Sequence, residues 1–163
     1  MTLRTLFLWP ILLLLLAAAG CKAPAPPAQW VSARVQAGNE RLLFEVTELA
    51  FRKRSFPVGA GLDPARLTAT SGWRVSLAPF KGKGRRDQAV VQFTREKEPG
   101  RYKAEVRVRR ERNEDIVRPM DLTYADWEAD QDDVEAARVV LQFIVSLLST
   151  GGEVLESKPS AAP

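Results

Sequence analysis

The sequence predicts an α+β domain in two layers, with one N-terminal and one C-terminal helix packed on one face of an antiparallel sheet of three to four strands. Apolar and polar residues alternate regularly over residues 102–108, which is typical of a half-buried strand. A short strand at residues 30–35 brings the expected number to four. Two segments that flank the strand region space their apolar residues as a helix does. Helices placed before and after antiparallel strands are typical of α+β domains.

The first helix is predicted to begin at Asn39 and to stop before Pro57. Acidic residues come early in this segment and cations come late, at residues 52–54, an order that complements the helix dipole. Five apolar residues fall on one face at helical spacing: Leu42, Leu43, Val46, Leu49 and Ala50. A strand is the alternative, because residues 42–46 also alternate between apolar and polar. The charge order favours the helix.

Three strands are predicted after a turn rich in glycine and proline. Alternation over residues 67–77 predicts one half-buried strand with an interruption or bulge near Gly72, and it places Trp73 among the core residues. A second strand covers residues 89–93, and the third covers residues 102–108. Trp30 and Trp127 border the fold and stay open as surfaces on which a sugar ring could stack.

The second helix is predicted to begin at Asp132 or Asp133, whose carboxylates can accept hydrogen bonds from free amides, and to end at Gly151. Its apolar residues surround nearly the whole helix, which predicts deep burial. The acidic segment before it places carboxylates at alternate positions: Asp126, Glu128, Asp130 and Asp132. Calcium loops use such spacing, but the glycine and the terminal glutamate of an EF-hand are missing. Helix capping is therefore the favoured interpretation, with calcium binding as the alternative.

The first 21 residues have the features of an export signal. Arg4 supplies a positive charge, residues 6–19 are apolar, and small residues lead to Cys21, the single cysteine of the chain. A membrane-spanning helix needs roughly 20 apolar residues, so a stretch of 14 with Pro10 inside it is too short. The pattern predicts an exported protein.

Residues 17–21, Ala-Ala-Ala-Gly-Cys, resemble the lipobox of bacterial lipoproteins, with Ala18 at the position where leucine is commoner. The resemblance implies cleavage before Cys21 and acylation of its thiol with fatty acids such as palmitate. Lys22 implies the outer membrane as destination, because an aspartate there commonly retains such lipoproteins in the inner membrane. We expect a lipid-anchored protein that faces the periplasm. The alternative is an ordinary secreted protein with a free thiol.

The domain organisation follows from this signal and from composition. Residues 1–20 are the signal peptide, residues 21–29 are the lipidated cysteine with a linker rich in proline and alanine, and residues 30–155 are a single α+β domain. Residues 156–163 are predicted to be a disordered tail. The order of the elements resembles that of small envelope-assembly lipoproteins of the helix-grip type.

Charge is distributed unevenly along the chain. Residues 52–118 carry 18 Lys and Arg against 8 Asp and Glu, whereas residues 121–135 carry seven acids and no base. If the apolar residues of the third strand face the core, its cations form a ridge about 6.6 Å apart on the other face. The candidate anion-binding residues are Arg101, Lys103, Arg107 and Arg109. The alternative is a solvated face, or one neutralised by the acidic segment.

The side chains that most enzymes need are missing. The chain has no histidine, and its single cysteine is assigned to the lipid anchor. We therefore expect no enzyme, no cofactor and no metal site, with a carboxylate-dependent hydrolase as a remote alternative. The predicted function is that of a scaffold or adaptor in assembly or maintenance of the cell envelope, with the membrane and an envelope protein as partners. The alternative is direct binding of an anionic polymer, lipopolysaccharide or peptidoglycan, and nucleic acid is not expected.

Overall fold

Seven strands and two helices make up the part of the chain that a computed structural model describes, residues 25–59, 61–77 and 83–149. A 3₁₀ turn at Leu122–Tyr124 precedes the last strand. In chain order the elements are β1 (Val31–Gln36), α1 (Glu40–Lys53), β2 (Gly61–Asp63), β3 (Thr68–Thr70), β4 (Arg74–Ser76), β5 (Arg85–Arg95), β6 (Arg101–Asn113), β7 (Trp127–Asp130) and α2 (Val134–Leu148).

All strands pair antiparallel in one sheet, in the order β1-β6-β5-β3-β2. β4 pairs with the first residues of β5, and β7 pairs with the last residues of β6. The α+β class and the antiparallel sheet are as predicted, but the expectation of three to four strands is too low. One predicted strand is divided into β3 and β4, and the short strands β2 and β7 lie in segments with turn-like or acidic composition.

The long hairpin of β5 and β6 separates two faces of the sheet. Apolar residues of both strands alternate onto one face, where they are buried, and this confirms the predicted orientation of the strand around Tyr102. Charged and polar residues occupy the opposite face, called the outer face here, which carries Arg86, Gln88, Arg107 and Arg109. Both helices contribute their buried side chains to the same core cluster as the apolar face of the sheet.

A β-bulge divides the third and fourth strands. Thr68 pairs with Gln92, whereas Arg74 pairs with Asp87, so the register shifts by one residue and Gly72 and Trp73 together oppose Gln88. Because one extra residue reverses the faces of a strand, Trp73 lies half-buried on the outer face. The prediction that Trp73 belongs to the core is therefore wrong.

Gly72 is required where the bulge meets the segment after α1. A Cβ atom on this residue would lie 2.8 Å from the Cβ of Pro57, closer than van der Waals contact allows. The Gly72 amide donates a hydrogen bond of 2.7 Å to the Pro57 carbonyl. This close approach explains the glycine at the centre of the bulge.

α1 begins as the sequence predicts. The Asn39 side chain caps it by accepting a hydrogen bond from the Leu42 amide at 2.9 Å. Leu43, Val46 and Ala50 are buried as expected, but Leu42 and Leu49 are exposed. Thr47 and Phe51 complete the buried face. The buried face of α1 is therefore rotated relative to the predicted face, so that it includes Thr47 and Phe51 in place of Leu42 and Leu49.

α2 begins with Asp133, which accepts a hydrogen bond from the Ala136 amide at 2.9 Å and so confirms the predicted cap. The Asp133 amide itself donates to the carbonyl of Val108, which joins the start of the helix to β6. The fully buried side is one stripe of the helix: Ala137, Val140, Leu141 and Ile144. Gly151, the predicted end, lies outside the described residues.

Candidate functional site

The four cations of the candidate ridge share the outer face of β6, as the alternation predicts. Each also lies close to a carboxylate of the same chain, at nitrogen–oxygen distances from 2.6 to 3.7 Å. The pairs are Arg101 with Glu98, Lys103 with Glu105, Arg107 with Asp132, and Arg109 with Glu111. The ridge is therefore present, and its charges are balanced within the chain.

Arg107 makes the strongest of these pairs. Its guanidinium donates two hydrogen bonds to the Asp132 carboxylate, at 2.7 and 3.2 Å, and the Asp132 side chain is only 4% exposed. Such a bidentate, charge-assisted pair fixes the geometry of both side chains. The same carboxylate accepts a hydrogen bond of 2.7 Å from the Gln29 amide. The acidic segment thus joins β6 to the chain that enters β1.

Two tryptophans and two arginines form a second feature of the outer face. The Arg86 guanidinium lies 4.5 Å from the ring centroid of Trp73 and 4.7 Å from that of Trp127. Arg109 lies 5.5 Å from the ring centroid of Trp73. Arg86 also forms a salt bridge with Glu111. Arg86 therefore stacks on both rings, and both tryptophans are half-buried.

Trp30 lines a cavity of about 340 Å³ beside the ridge. Arg109, Glu111 and Ala129 form part of its wall, and Pro26 from the segment before β1 closes one side. The cavity mixes both charges with apolar surface. Within the described ranges, no group of three or more His, Cys, Asp or Glu side chains is placed to hold a metal ion.

A separate group of ion pairs lies on the core side of the sheet. Asp87, almost fully buried, accepts hydrogen bonds from Arg74 at 3.0 Å and from Arg110 at 2.9 Å. Arg110 also contacts Asp133, the cap of α2. Burial alone lowers the pKa of Arg110, but hydrogen bonds and charge from Asp87 and Asp133 outweigh it, so the pKa lies above its ordinary value. These residues join the sheet to both helices, because Arg74 also donates to the Arg54 carbonyl.

The connection between β6 and β7, residues 114–126, is closed at its base by Asn113. This side chain is 1% exposed, and its oxygen accepts hydrogen bonds from the amides of Asp115 and Asp126, each at 3.0 Å. Its nitrogen donates to the Pro119 carbonyl at 3.4 Å. One buried amide side chain thus ties the start, the middle and the end of the β6–β7 loop together.

Aspartates fix the interior of the β6–β7 loop. Asp115 accepts hydrogen bonds from the amides of Val117 and Arg118, at 2.8 and 2.9 Å. These hydrogen bonds hold the pKa of the Asp115 carboxyl below its usual range, because they stabilise the charged form. Asp121 caps the 3₁₀ turn by accepting from the Thr123 amide at 2.9 Å. The loop therefore has a defined shape, as compact loops with internal hydrogen bonds do.

The same loop exposes large apolar side chains to solvent. Five of them have exposed fractions between 50% and 80%: Ile116, Val117, Met120, Leu122 and Tyr124. Pro119, Met120 and Leu122 also border an open depression together with Leu77 at the end of β4. The sequence did not predict this exposed surface. Apolar residues predict a buried face only where they have helical or strand spacing, and these residues have neither. The sequence does carry one signal. Five of the nine residues from 116 to 124 are large and apolar, although this segment lies outside every predicted helix and strand.

Cys21, the candidate lipidation site, lies outside the described residues. Among the described residues, no helix is both long and apolar enough to cross a membrane. No protein-family model matches the sequence, and no curated protein is similar enough to count as a relative.

Proposed function

We propose that the chain is a non-enzymatic lipoprotein of the cell envelope, and that its domain acts as an adaptor by binding another protein through the β6–β7 loop. The observation that carries this proposal is the set of five large apolar side chains exposed on one loop of fixed shape. Contiguous exposed apolar surface on a folded domain marks an interaction site. Met and Tyr are among the residues enriched in protein interfaces.

The fixed shape of the loop supports binding. Ordering a flexible segment at the moment of association costs free energy, and hydrogen bonds from Asn113 and Asp115 have already ordered this one. Each large apolar side chain that becomes fully buried contributes roughly 1.5–3 kcal/mol. Burial of a few of the five is enough for a specific interface of modest size.

Tethering at Cys21 is the second part of the proposal. It is supported by the export signal and by the small residues that lead to the single cysteine. Lys22 supports the outer membrane and a domain in the periplasm. A Cys21→Ser variant is expected to lose membrane association, and its persistence in the membrane fraction at unchanged size would contradict the anchor.

Direct binding of an anionic polymer through the ridge is the second candidate, and the structure supports it less. Arg107 already holds Asp132 in a bidentate pair, and Arg101, Lys103 and Arg109 each lie beside a carboxylate. A phosphate or uronate group would have to displace these partners. The apolar loop needs no such displacement, because its five large apolar side chains are at least 50% exposed among the described residues, with only Arg118 stacked on Tyr124.

Site-specific photocrosslinking in cells tests the adaptor proposal. A photoreactive amino acid at Val117, which is 80% exposed, should give one protein adduct of defined mass. The same probe at Leu49, an exposed apolar residue of α1, is the matched control and should give none. The adduct should disappear when Ile116 is changed to glutamate. Equal adducts from Val117 and Leu49, or no adduct from either, would contradict the proposal.

A further inference from the structure

We propose that the partner of the β6–β7 loop is a protein embedded in the membrane that holds the Cys21 anchor, and that this protein presents an apolar surface bordered by basic side chains. The inference rests on the proposed function and adds the location and the charge of the partner. Two independent observations carry it: the direction in which the chain leaves the domain, and the charge of the loop.

The chain leaves the domain at the same end as the loop. Val31, the first residue of β1, pairs with Val106 near the middle of β6. Ala25, six residues earlier, lines the cavity together with Glu111 and Ala129, which are close to the last residues of β6 and the first residues of β7. From β1 toward the N-terminus the chain therefore runs in the direction of the β6–β7 loop.

This direction is fixed by hydrogen bonds. The Gln29 amide binds the Asp132 carboxylate, and Arg107 holds that carboxylate from β6. β7 occupies the edge of β6 beyond β1, so the segment that precedes β1 is turned onto the outer face. The exit point near Ala25 is thus part of the folded domain.

Distances along the strand then decide which end of the domain faces the membrane. Cys21 precedes Ala25 by four residues, and four residues span at most about 14 Å. Ala25 shares a cavity wall with β6 residues up to Glu111, which is three residues or about 10 Å from Glu114 at the start of the loop, whereas Arg101 at the other end of β6 is about 33 Å from Glu111. A lipid on Cys21 therefore places the loop end of the domain at the bilayer surface.

Charge distinguishes a protein partner from the lipid surface itself. The β6–β7 loop carries four acids and one base. Glu114 is paired with Lys83 and Arg112, whereas Asp121 and Asp126 are both exposed beside the apolar side chains. Bilayers with anionic lipids attract basic segments and repel acidic ones. An apolar surface with an acidic border is instead complementary to a protein that surrounds an apolar patch with Lys or Arg.

The location of the partner is tested with the Val117 photoprobe in the full-length lipidated protein. The adduct should remain with the membrane during extraction with alkaline carbonate, which releases proteins that are not embedded. An adduct with a released protein would overturn this inference and leave the adaptor proposal standing. Absence of any adduct would overturn the adaptor proposal itself.

A lipid partner is tested by flotation with vesicles of phosphatidylethanolamine and phosphatidylglycerol. The domain without its lipid should not float with them. Flotation that Val117→Glu abolishes would overturn the inference in favour of a lipid surface. The probe at Val117 should correspondingly give protein adducts and not lipid adducts.

The basic border is tested at Asp126, whose charge can be reversed without the loss of a side-chain hydrogen bond seen among the described residues. Asp126→Lys should lower the yield of the Val117 adduct about tenfold. Glu45→Lys, the same charge change on the exposed surface of α1, is the control and should leave the yield unchanged. An unchanged or higher yield with Asp126→Lys would overturn the predicted charge of the partner.

Discussion

The outer face of the sheet and the β6–β7 loop are both accessible to solvent, and they differ in whether their side chains have partners within the chain. On the outer face, each cation of the ridge lies beside a carboxylate, and Arg86 covers two tryptophan rings. On the loop, the polar groups of Asn113 and Asp115 are satisfied internally and Arg118 stacks on the Tyr124 ring, but five large apolar side chains are at least 50% exposed.

The difference follows from the physics of the two kinds of group. A charged side chain at a sheet surface can find an opposite charge two residues along its own strand, as Lys103 and Arg109 do, or on another segment, as Arg107 does with Asp132. An apolar side chain has no such specific partner and must pack against other apolar surface. The hydrogen bonds of this loop join its own backbone amides to Asn113 and Asp115, and they do not cover its apolar side chains. The charges of the ridge therefore have partners within the chain, and the exposed apolar side chains are the ones that we propose to bind a second molecule.

The greatest loss of stability is expected at Asp87, whose ion pairs lie on the core side of the sheet, behind the outer face. Asp87→Ala leaves Arg74 and Arg110 without their shared carboxylate, and we expect a loss of about 3–5 kcal/mol in the free energy of unfolding. Urea denaturation measures it. Glu98→Ala, which removes an exposed partner of Arg101, is the control and should cost less than about 1 kcal/mol. Equal losses for both variants would contradict the prediction that burial determines how much an ion pair contributes to the free energy of unfolding.

A smaller effect is expected at the base of the loop. Asn113→Ala removes three hydrogen bonds and leaves the amides of Asp115 and Asp126 without an acceptor, so we expect a loss of about 2 kcal/mol. Hydrogen exchange should increase mainly within residues 114–126. Asn113→Asp keeps the acceptor oxygen and should retain much of the protection. Uniform acceleration over the whole sheet would contradict a local role for Asn113.

The smallest expected effect is a response of the loop to acid. Because the pKa of Asp115 is lowered by folding, its contribution is fully present above the unfolded value of about 3.9 and is lost as the pH falls through the lower folded value. The NMR signals of the Val117 and Arg118 amides should therefore shift below about pH 4. In Asp115→Asn, which keeps an acceptor but does not titrate, this shift should disappear. A shift that persists in the variant would assign it to another group.

Local signals in the sequence predicted the elements whose stability is local. Asn39 and Asp133 cap their helices where a short polar side chain precedes an apolar repeat. Regular alternation predicted the orientation of β6. β7 was missed because Glu and Asp are uncommon in strands. In the register, Glu128 lies opposite Arg112 and Asp130 lies opposite Arg110.

The candidate site was harder to predict than the fold. The pattern of cations on β6 was correct, and Glu98, Glu105 and Glu111 lie within three residues of their partners. Only Asp132, the partner of Arg107, approaches from a distant segment. Trp73 was misplaced because a single inserted residue at the bulge reverses the faces of the strand. Exposure of the loop depends on Asn113, which closes it, and no local pattern marks that residue.

The central claim is that the apolar side chains of the β6–β7 loop serve binding and not the stability of the domain. The most direct test is Val117→Glu, with unfolding in urea and in-cell crosslinking through a photoprobe at Met120 measured on the same variant. We expect a free energy of unfolding within about 0.5 kcal/mol of that of the original protein, as for other exposed substitutions, and a loss of the adduct by at least about tenfold. A large loss of stability, or an adduct formed at the original yield, would contradict it.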